Sequence, residues 1–289
     1  MILTANTDDD IVCDPVWPNV GEEISYYHSL LTPINEMTTE MVAFLSNDWE
    51  FRNAVKVLAQ DASPVDTIRR SLDKFAKRWT GKWSSMEDRI ASKFASGAWT
   101  ATDNGVRASF AKAGFTLKFN PTKPMLLAYN TRIQTNINLI RSIPQQYLKD
   151  VSQKVWDVVT TTGDLNRLTQ DIQAVGGVTQ RRAALIARDQ NNKAKADFEK
   201  TRRYEVGITE AEWQHSAAGV EPRPTHLKAG QQRTLFLILV GWFDPAINKH
   251  TWPGHEINCR CSSRARIPGL RRRKHYQDPE ALRAQLNEE

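Results

Sequence analysis

A chain of 289 residues with 40% apolar and 25% charged side chains can bury a full core, and that balance excludes wholesale disorder. The 39 Lys and Arg exceed the 33 Asp and Glu by a modest, unevenly spread margin, with a sequence pI near 9.2. No run reaches the ~20 apolar residues of a bilayer span, and Met1-Ile2-Leu3 followed by Asp8-Asp9-Asp10 is the wrong order for a signal peptide.

In chain order, Pro15, Pro18 and Pro33 among mixed apolar and acidic residues predict an irregular N-terminal arm over residues 1–55, with short helices such as the one around Met41 to Leu45. From Ser63-Pro64 the pattern sharpens, and Ile68, Leu72, Phe75 and Trp79 fall on one helical face. Gly81 is expected to interrupt that helix, with further punctuation at Gly97 and Asp103-Asn104-Gly105. Phe115-Thr116-Leu117-Lys118-Phe119 alternates apolar and polar, which predicts a half-buried strand near 115–119. Helical spacing returns with Ile133, Ile137 and Ile140, and again with Val151, Val155 and Val158 after Pro144. Asp164 is placed to cap a helix carrying Leu165, Leu168, Ile172 and Val175, with Gly176-Gly177 closing it. Residues 56–176 thus read as a helical region.

A long helix from Thr179 to about Tyr204 opens the last section, and its mixed Lys, Arg, Asp and Glu read as a solvated face with i,i+4 pairing. From Gly207 onward Pro, Gly, Trp and His become frequent, as in short strands and loops, and Leu235 to Val240 suits one buried strand. The predicted fold class is α+β. Its N-terminal two thirds are mainly helical, followed by a compact C-terminal module at 177–268 and a basic-then-acidic tail at 269–289.

Few constellations could carry chemistry. There is no phosphate-cradling glycine motif of either common type, so cofactor and nucleotide chemistry are unsupported and the chain is not expected to be an enzyme. Three cysteines, Cys13, Cys259 and Cys261, are too few for a disulfide scaffold and point to a reducing compartment. Cys259 and Cys261, with His226 and His255, offer the soft and borderline ligands that zinc selects. The same residues also fit two small buried thiols beside a tight turn. His226 has Glu221 and Arg223 nearby, which suits either an acid–base pair or a histidine that fixes a loop. From Ile257 to Gln277 there are seven Lys/Arg and no acid, so Arg264, Arg266, Arg271, Arg272, Arg273 and Lys274 are candidates for phosphate contact, or simply a solvated tail.

The order of short motifs is more specific than any one of them. Arg182-Ala183-Ala184-Leu185-Ile186-Ala187-Arg188-Asp189 precedes Trp213, then Arg223-Pro224-Thr225-His226, Pro253-Gly254 and Asn258-Cys259-Arg260-Cys261. Over roughly residues 125 to 265 this succession resembles the phage head morphogenesis family of Mu F-like minor head proteins. The resemblance marks Arg188, Trp213, Arg223, His226, Pro253, Asn258, Cys259, Arg260 and Cys261 as motif residues. Where many relatives carry an acid about seven residues before the motif histidine, this chain has Gly219. What the resemblance implies is a minor head protein of a tailed bacteriophage, built into the virion after assembly in the host cytoplasm. It would associate with portal, scaffold or major capsid protein inside the head, with a role in DNA packaging or ejection. A DNA-binding internal virion protein is the alternative, and a toxin-like enzyme centred on His226 a more distant one.

Overall fold

The computed structural model describes residues 9–57, 64–218 and 221–269. In chain order its elements are β1 (Ile11–Val12), α1 (Val20–Asn47), α2 (Trp49–Val57), α3 (Pro64–Lys112), α4 (Lys123–Thr161), α5 (Leu165–Glu205), β2 (Glu210–Gln214), α6 (Pro224–Gln231), β3 (Leu235–Leu237), β4 (Trp242–Asp244), β5 (Lys249–Thr251) and β6 (Ser262–Ile267). Long helices followed by short antiparallel strands make this an α+β fold. Its two compact units are each assembled from separate stretches of chain. One takes residues 21–94 and 132–188, the other 1–20, 95–131 and 189–289, and α3, α4 and α5 contribute residues to both.

The first unit is helical. In place of the expected irregular arm, residues 20–47 form one helix that runs through Pro33. An interior proline forfeits a hydrogen bond and crowds the preceding turn. Against that cost, Tyr26, Leu30, Ile34, Met37, Met41 and Leu45 make a fully buried stripe at intervals of three and four residues. Tyr26 stacks on Phe94 at 4.2 Å and donates its hydroxyl proton to Asn136 at 2.8 Å. Trp79 and Trp83 are core residues as well, at 0% and 1% exposure, and the Trp79 indole donates to Glu40. Asp164 caps α5 as its position predicts, accepting from the backbone N–H groups of Asn166 and Arg167.

Glycines expected to end helices do not. Gly81, Gly97 and Gly105 all lie inside α3, and Gly176 and Gly177 inside α5. Sequence position alone cannot separate a glycine that ends a helix from one that admits a neighbour. A Cβ on Gly176 would sit 2.8 Å from both Cγ2 and Oγ1 of Thr38 on α1, so this glycine permits a close helix crossing. Gly81 faces open space, with nothing within 4 Å. Gly176→Ala is therefore expected to lower stability by about 1–3 kcal/mol through overpacking, while Gly81→Ala raises it by about 0.5–1 kcal/mol. Denaturant unfolding of the two variants would show equal shifts if the crossing did not need the glycine.

The second unit carries the strands. β1, β6, β2 and β3 form an antiparallel sheet in that order, and β4 pairs with β5 in a separate hairpin. Register places Trp213 opposite Ser263 and Ala211 opposite both Ala265 and Phe236. The apolar run Leu235 to Val240 does not make the single strand expected. It supplies β3 and then turns, with the Gly241 N–H returning to the Leu237 carbonyl. The predicted strand at 115–119 is a second correction. Phe115 and Leu117 are buried and Thr116 and Lys118 exposed, as the alternation requires, but the segment is not part of a sheet. It packs against the core without a ladder partner among the described residues.

That core joins Cys13, Val16, Val106, Phe110, Phe115 and Leu117 to Trp213, Phe236, Ile238, Cys259, Cys261, Ala265 and Ile267. The predicted module at 177–268 therefore omits several residues that its own core needs, together with β1, which pairs with β6 through Ile11 and Val12. Residues 177–268 produced alone are expected to lack a cooperative thermal transition, whereas the full chain shows one. A sharp transition in the fragment would contradict this.

The α5 charges are not the solvated face the sequence suggested. Lys195, Glu199, Arg202 and Arg203 are at most 3% exposed. Lys195 pairs with Glu199 at 2.8 Å and donates to the Ser262 hydroxyl at 2.7 Å, while Arg203 pairs with Glu199 at 2.5 Å and donates to Ser263. Burial pulls the Lys195 ammonium below its ordinary pKa, with Glu199 opposing. Beside them Arg202 grips Asp103 with two N–H groups and also pairs with Glu205. Glu199→Gln leaves two buried cations without their counter-charge, and is expected to cost about 3–5 kcal/mol in chemical unfolding. A loss below about 1 kcal/mol, the scale of an exposed ion pair, would mean that the pair is effectively solvated.

Candidate functional site

The residues singled out near the end of the chain converge in the second unit. Pro224 occupies the first turn of α6, where its fixed φ is preorganised and its missing N–H has no helical partner to lose. Two positions on, His226 points inward and is 2% exposed. The approach of α6 to the end of β2 depends on Gly230, where a Cβ would stand 2.4 Å from the Cβ of His215.

The second half of the site is the stretch from Pro253 to Cys261. Gly254 adopts φ +95°, a conformation that glycine tolerates at little cost, and Asn258 takes φ +59°, where asparagine is among the better-tolerated residues. The turn is fastened from several sides. Cys259 donates its N–H to Glu256 O, Asn192 donates to Cys259 O at 3.0 Å, and Arg223 donates to Ile257 O at 2.9 Å. Asn258 N–H is directed at Asp189, and Arg260 donates to Ala218 O. Cys261 then leads directly into β6.

Together these elements place three buried donor atoms in one cluster. His226 Nδ1 lies 3.5 Å from Cys259 Sγ and 3.9 Å from Cys261 Sγ, and all three ligating atoms fall within 4.8 Å of one another. The other ring nitrogen, Nε2, is 3.1 Å from Oδ2 of Asp244, a carboxylate with no solvent exposure. Oδ1 of Asp244 accepts the Ala246 N–H at 3.0 Å, so the carboxylate is held at both oxygens. Trp213 and Trp242 stand edge-on to the imidazole, with ring centroids at 4.8 and 6.1 Å. Cluster and surroundings bring one imidazole and two thiols together among buried aromatic rings.

The two thiols share their protons unequally. A hydrogen bond from Cys261 holds Cys259 well below the ordinary thiol pKa, against the effect of burial and with help from His226. Cys261 is pushed up by that same bond and by burial. Cys13, remote from this pair in sequence, is simply raised to about 11 by burial. The Gly254 N–H points at Cys259 Sγ at 3.4 Å, the kind of donor that favours a thiolate.

Several expected members lie elsewhere. His255 is not in the cluster, because its Nε2 is taken by Asp197 at 2.7 Å. The partner of His226 is Asp244, not Glu221 or Arg223; Arg223 instead secures the Ile257 carbonyl. Arg188 belongs to the helical unit and pairs with Glu23. Arg264 and Arg266 sit on β6, bound to Cys13 O and to Asp10 and Glu212 respectively. Arg271, Arg272, Arg273 and Lys274 lie outside the described residues. No helix among the described residues is long and apolar enough to cross a membrane.

A cavity of about 280 Å³ opens onto the cluster, lined by His215, Glu221, Arg223, Asn258 and Arg260 beside the three donors. A larger one of about 770 Å³ in the helical unit is walled by Phe44 and Phe75 with Glu40, Arg70, Lys74 and Arg78, and gathers no comparable set of donors.

Asp244 is the residue that sequence reasoning missed, and its loss tests the arrangement. Asp244→Ala strands the buried His226 ring N–H and the Ala246 N–H, with an expected cost of about 1–3 kcal/mol. Asp244→Asn keeps one acceptor oxygen and is expected to cost less. Two variants as stable as the parent in thermal unfolding would show that the pair does not hold the ring.

Comparison with known proteins agrees with the motif order. Residues 149–264 match the family model described as "Phage Mu protein F like protein". The chain is also 37% identical over 127 residues to an uncharacterized protein of Haemophilus influenzae, an overlap of 44% of this chain and 26% of that protein. The chain thus spans about a quarter of the length of that curated relative. No solved structure matches. Over residues 149–264, then, this chain is similar to the phage Mu F-like family.

Proposed function

We propose that the chain acts in phage head morphogenesis as a minor head protein, carried in the virion and associated with the portal inside the head. The supporting observation is that the family match over residues 149–264 coincides with a constructed site. Trp213, Arg223, His226, Asn258, Cys259, Arg260 and Cys261 are separated in sequence, yet they close into one buried cluster and its rim. That density of mutually fixed residues suits a module whose shape is its function. An assembly role without catalysis accords with the absence of any phosphate-binding glycine motif from the sequence.

Portal association and a part in DNA packaging or ejection follow from the family reading. Nucleic-acid contact would rest on Arg271, Arg272, Arg273 and Lys274, since Arg264 and Arg266 already have protein partners. The test is to tag the full chain in its phage and analyse particles halted before DNA enters. The reading predicts the chain in purified proheads at low copy number and its co-isolation with the portal protein. Heads that contain portal but lack the chain would overturn it.

A further inference from the structure

We propose that His226, Cys259 and Cys261 bind a zinc ion, with Asp244 orienting the histidine and the fourth coordination position open to the adjacent cavity. The argument begins with distances. Bond lengths of about 2.05 Å for Zn–N and about 2.3 Å for Zn–S in a tetrahedron give N···S edges of about 3.6 Å and an S···S edge of about 3.8 Å. The N···S separations here are 3.5 and 3.9 Å, so one ion fits between the donors with little movement. Both sulfurs lie close to the same imidazole nitrogen, and to each other. A shared cation satisfies all three.

The surroundings supply the second requirement. A ligating histidine almost always donates its remaining ring N–H to a carboxylate or carbonyl, which fixes the tautomer and raises ligand basicity. Here Nδ1 faces the sulfurs while Nε2 meets Asp244, itself fully buried and anchored by Ala246. The Gly254 N–H aimed at Cys259 Sγ is a further group that favours a thiolate.

The donor set also limits the coordination. His255, the other histidine close in sequence, faces Asp197. His215 borders the cavity but is not among the donor atoms that converge within 4.8 Å of one another. Three protein ligands with a solvent-accessible fourth position is an arrangement that leaves room for water or for an oxygen of a ligand. A nucleophilic cysteine would need only one of the two thiols and an exposed sulfur, whereas Cys259 and Cys261 are 3% and 5% exposed. The inference stands independently of the head-assembly reading, since neither distances nor donors depend on what the protein assembles with.

The experiment uses the full chain. It is incubated with Zn²⁺, desalted and analysed for metal, and the zinc-free form is titrated with Co²⁺. The site predicts about one zinc per chain and a thiolate-to-cobalt charge-transfer band with tetrahedral d–d absorption. His226→Ala, Cys259→Ser and Cys261→Ser should each abolish retention, Asp244→Asn should weaken it roughly 10–100-fold, and His255→Ala should leave it unchanged. Added azide should shift the cobalt d–d bands by entering the fourth position. Folded parent chain that retains no zinc and gives no charge-transfer band overturns the proposal, and so does zinc that survives the three ligand changes. A cobalt spectrum indifferent to azide overturns the open position. Because the parent chain carries both the metal and the cobalt readouts, a variant that fails to fold does not decide the matter.

Discussion

The fold of the second unit depends on charge buried along α5. Lys195, Glu199 and Arg203 stand one turn apart on the same face, and the carboxylate lies between the two cations. Such a group is expensive to desolvate, and it is tolerated only when the remaining donors are also satisfied. The hydroxyls of Ser262 and Ser263 and the Ser263 carbonyl take up donors of Lys195 and of both terminal nitrogens of Arg203, leaving Arg203 Nε unpartnered among the described residues, and Ser262 donates in turn to the Val16 carbonyl. One helix face therefore fixes the position of β6 and of the segment after β1. A shift of β6 by a single residue would exchange Ser263 for Ser262 or Arg264 opposite Trp213 and disrupt the whole set.

With β6 fixed, the position of Cys261 follows, since it immediately precedes the strand. Cys259 is placed by the turn at Asn258 and by Asn192, another α5 residue that reaches the Cys259 carbonyl. His226 arrives from the opposite direction on α6, seated by Gly230 and held from behind by Asp244 on the β4–β5 hairpin. Four separate pieces of chain thus meet at three donor atoms. No single local motif would produce that convergence.

Much of this was legible in the sequence, because local chemistry decided it. The apolar stripes of the helices and the Asp164 cap are each set by residues a few positions apart, whereas α6 falls where short strands and loops were expected. The cluster residues His226, Cys259 and Cys261 could be named from ligand type alone. What escaped notice is decided by partners distant in sequence. Gly105 and Gly176 resemble helix breakers, yet the structure uses them where Val16 and Thr38 approach closely. Lys195, Glu199 and Arg203 resemble a solvated face because the serines that satisfy them lie some sixty residues later. Asp244 is 18 residues from His226 in a segment that reads as turn, and only the hairpin register turns it inward. Ala265 and Ile267 alternate with Arg264 and Arg266, a period-two pattern that marks a half-buried strand before it marks a basic patch.

The family match and the site chemistry meet at the same few residues, which are placed to hold one ion. X-ray absorption at the zinc edge of the purified full chain examines that directly. The account predicts a shell of two sulfurs at about 2.3 Å and a light-atom shell at about 2.0 Å from one imidazole and one exchangeable oxygen. A spectrum with only light-atom scatterers, or with a shell of four sulfurs, would contradict it.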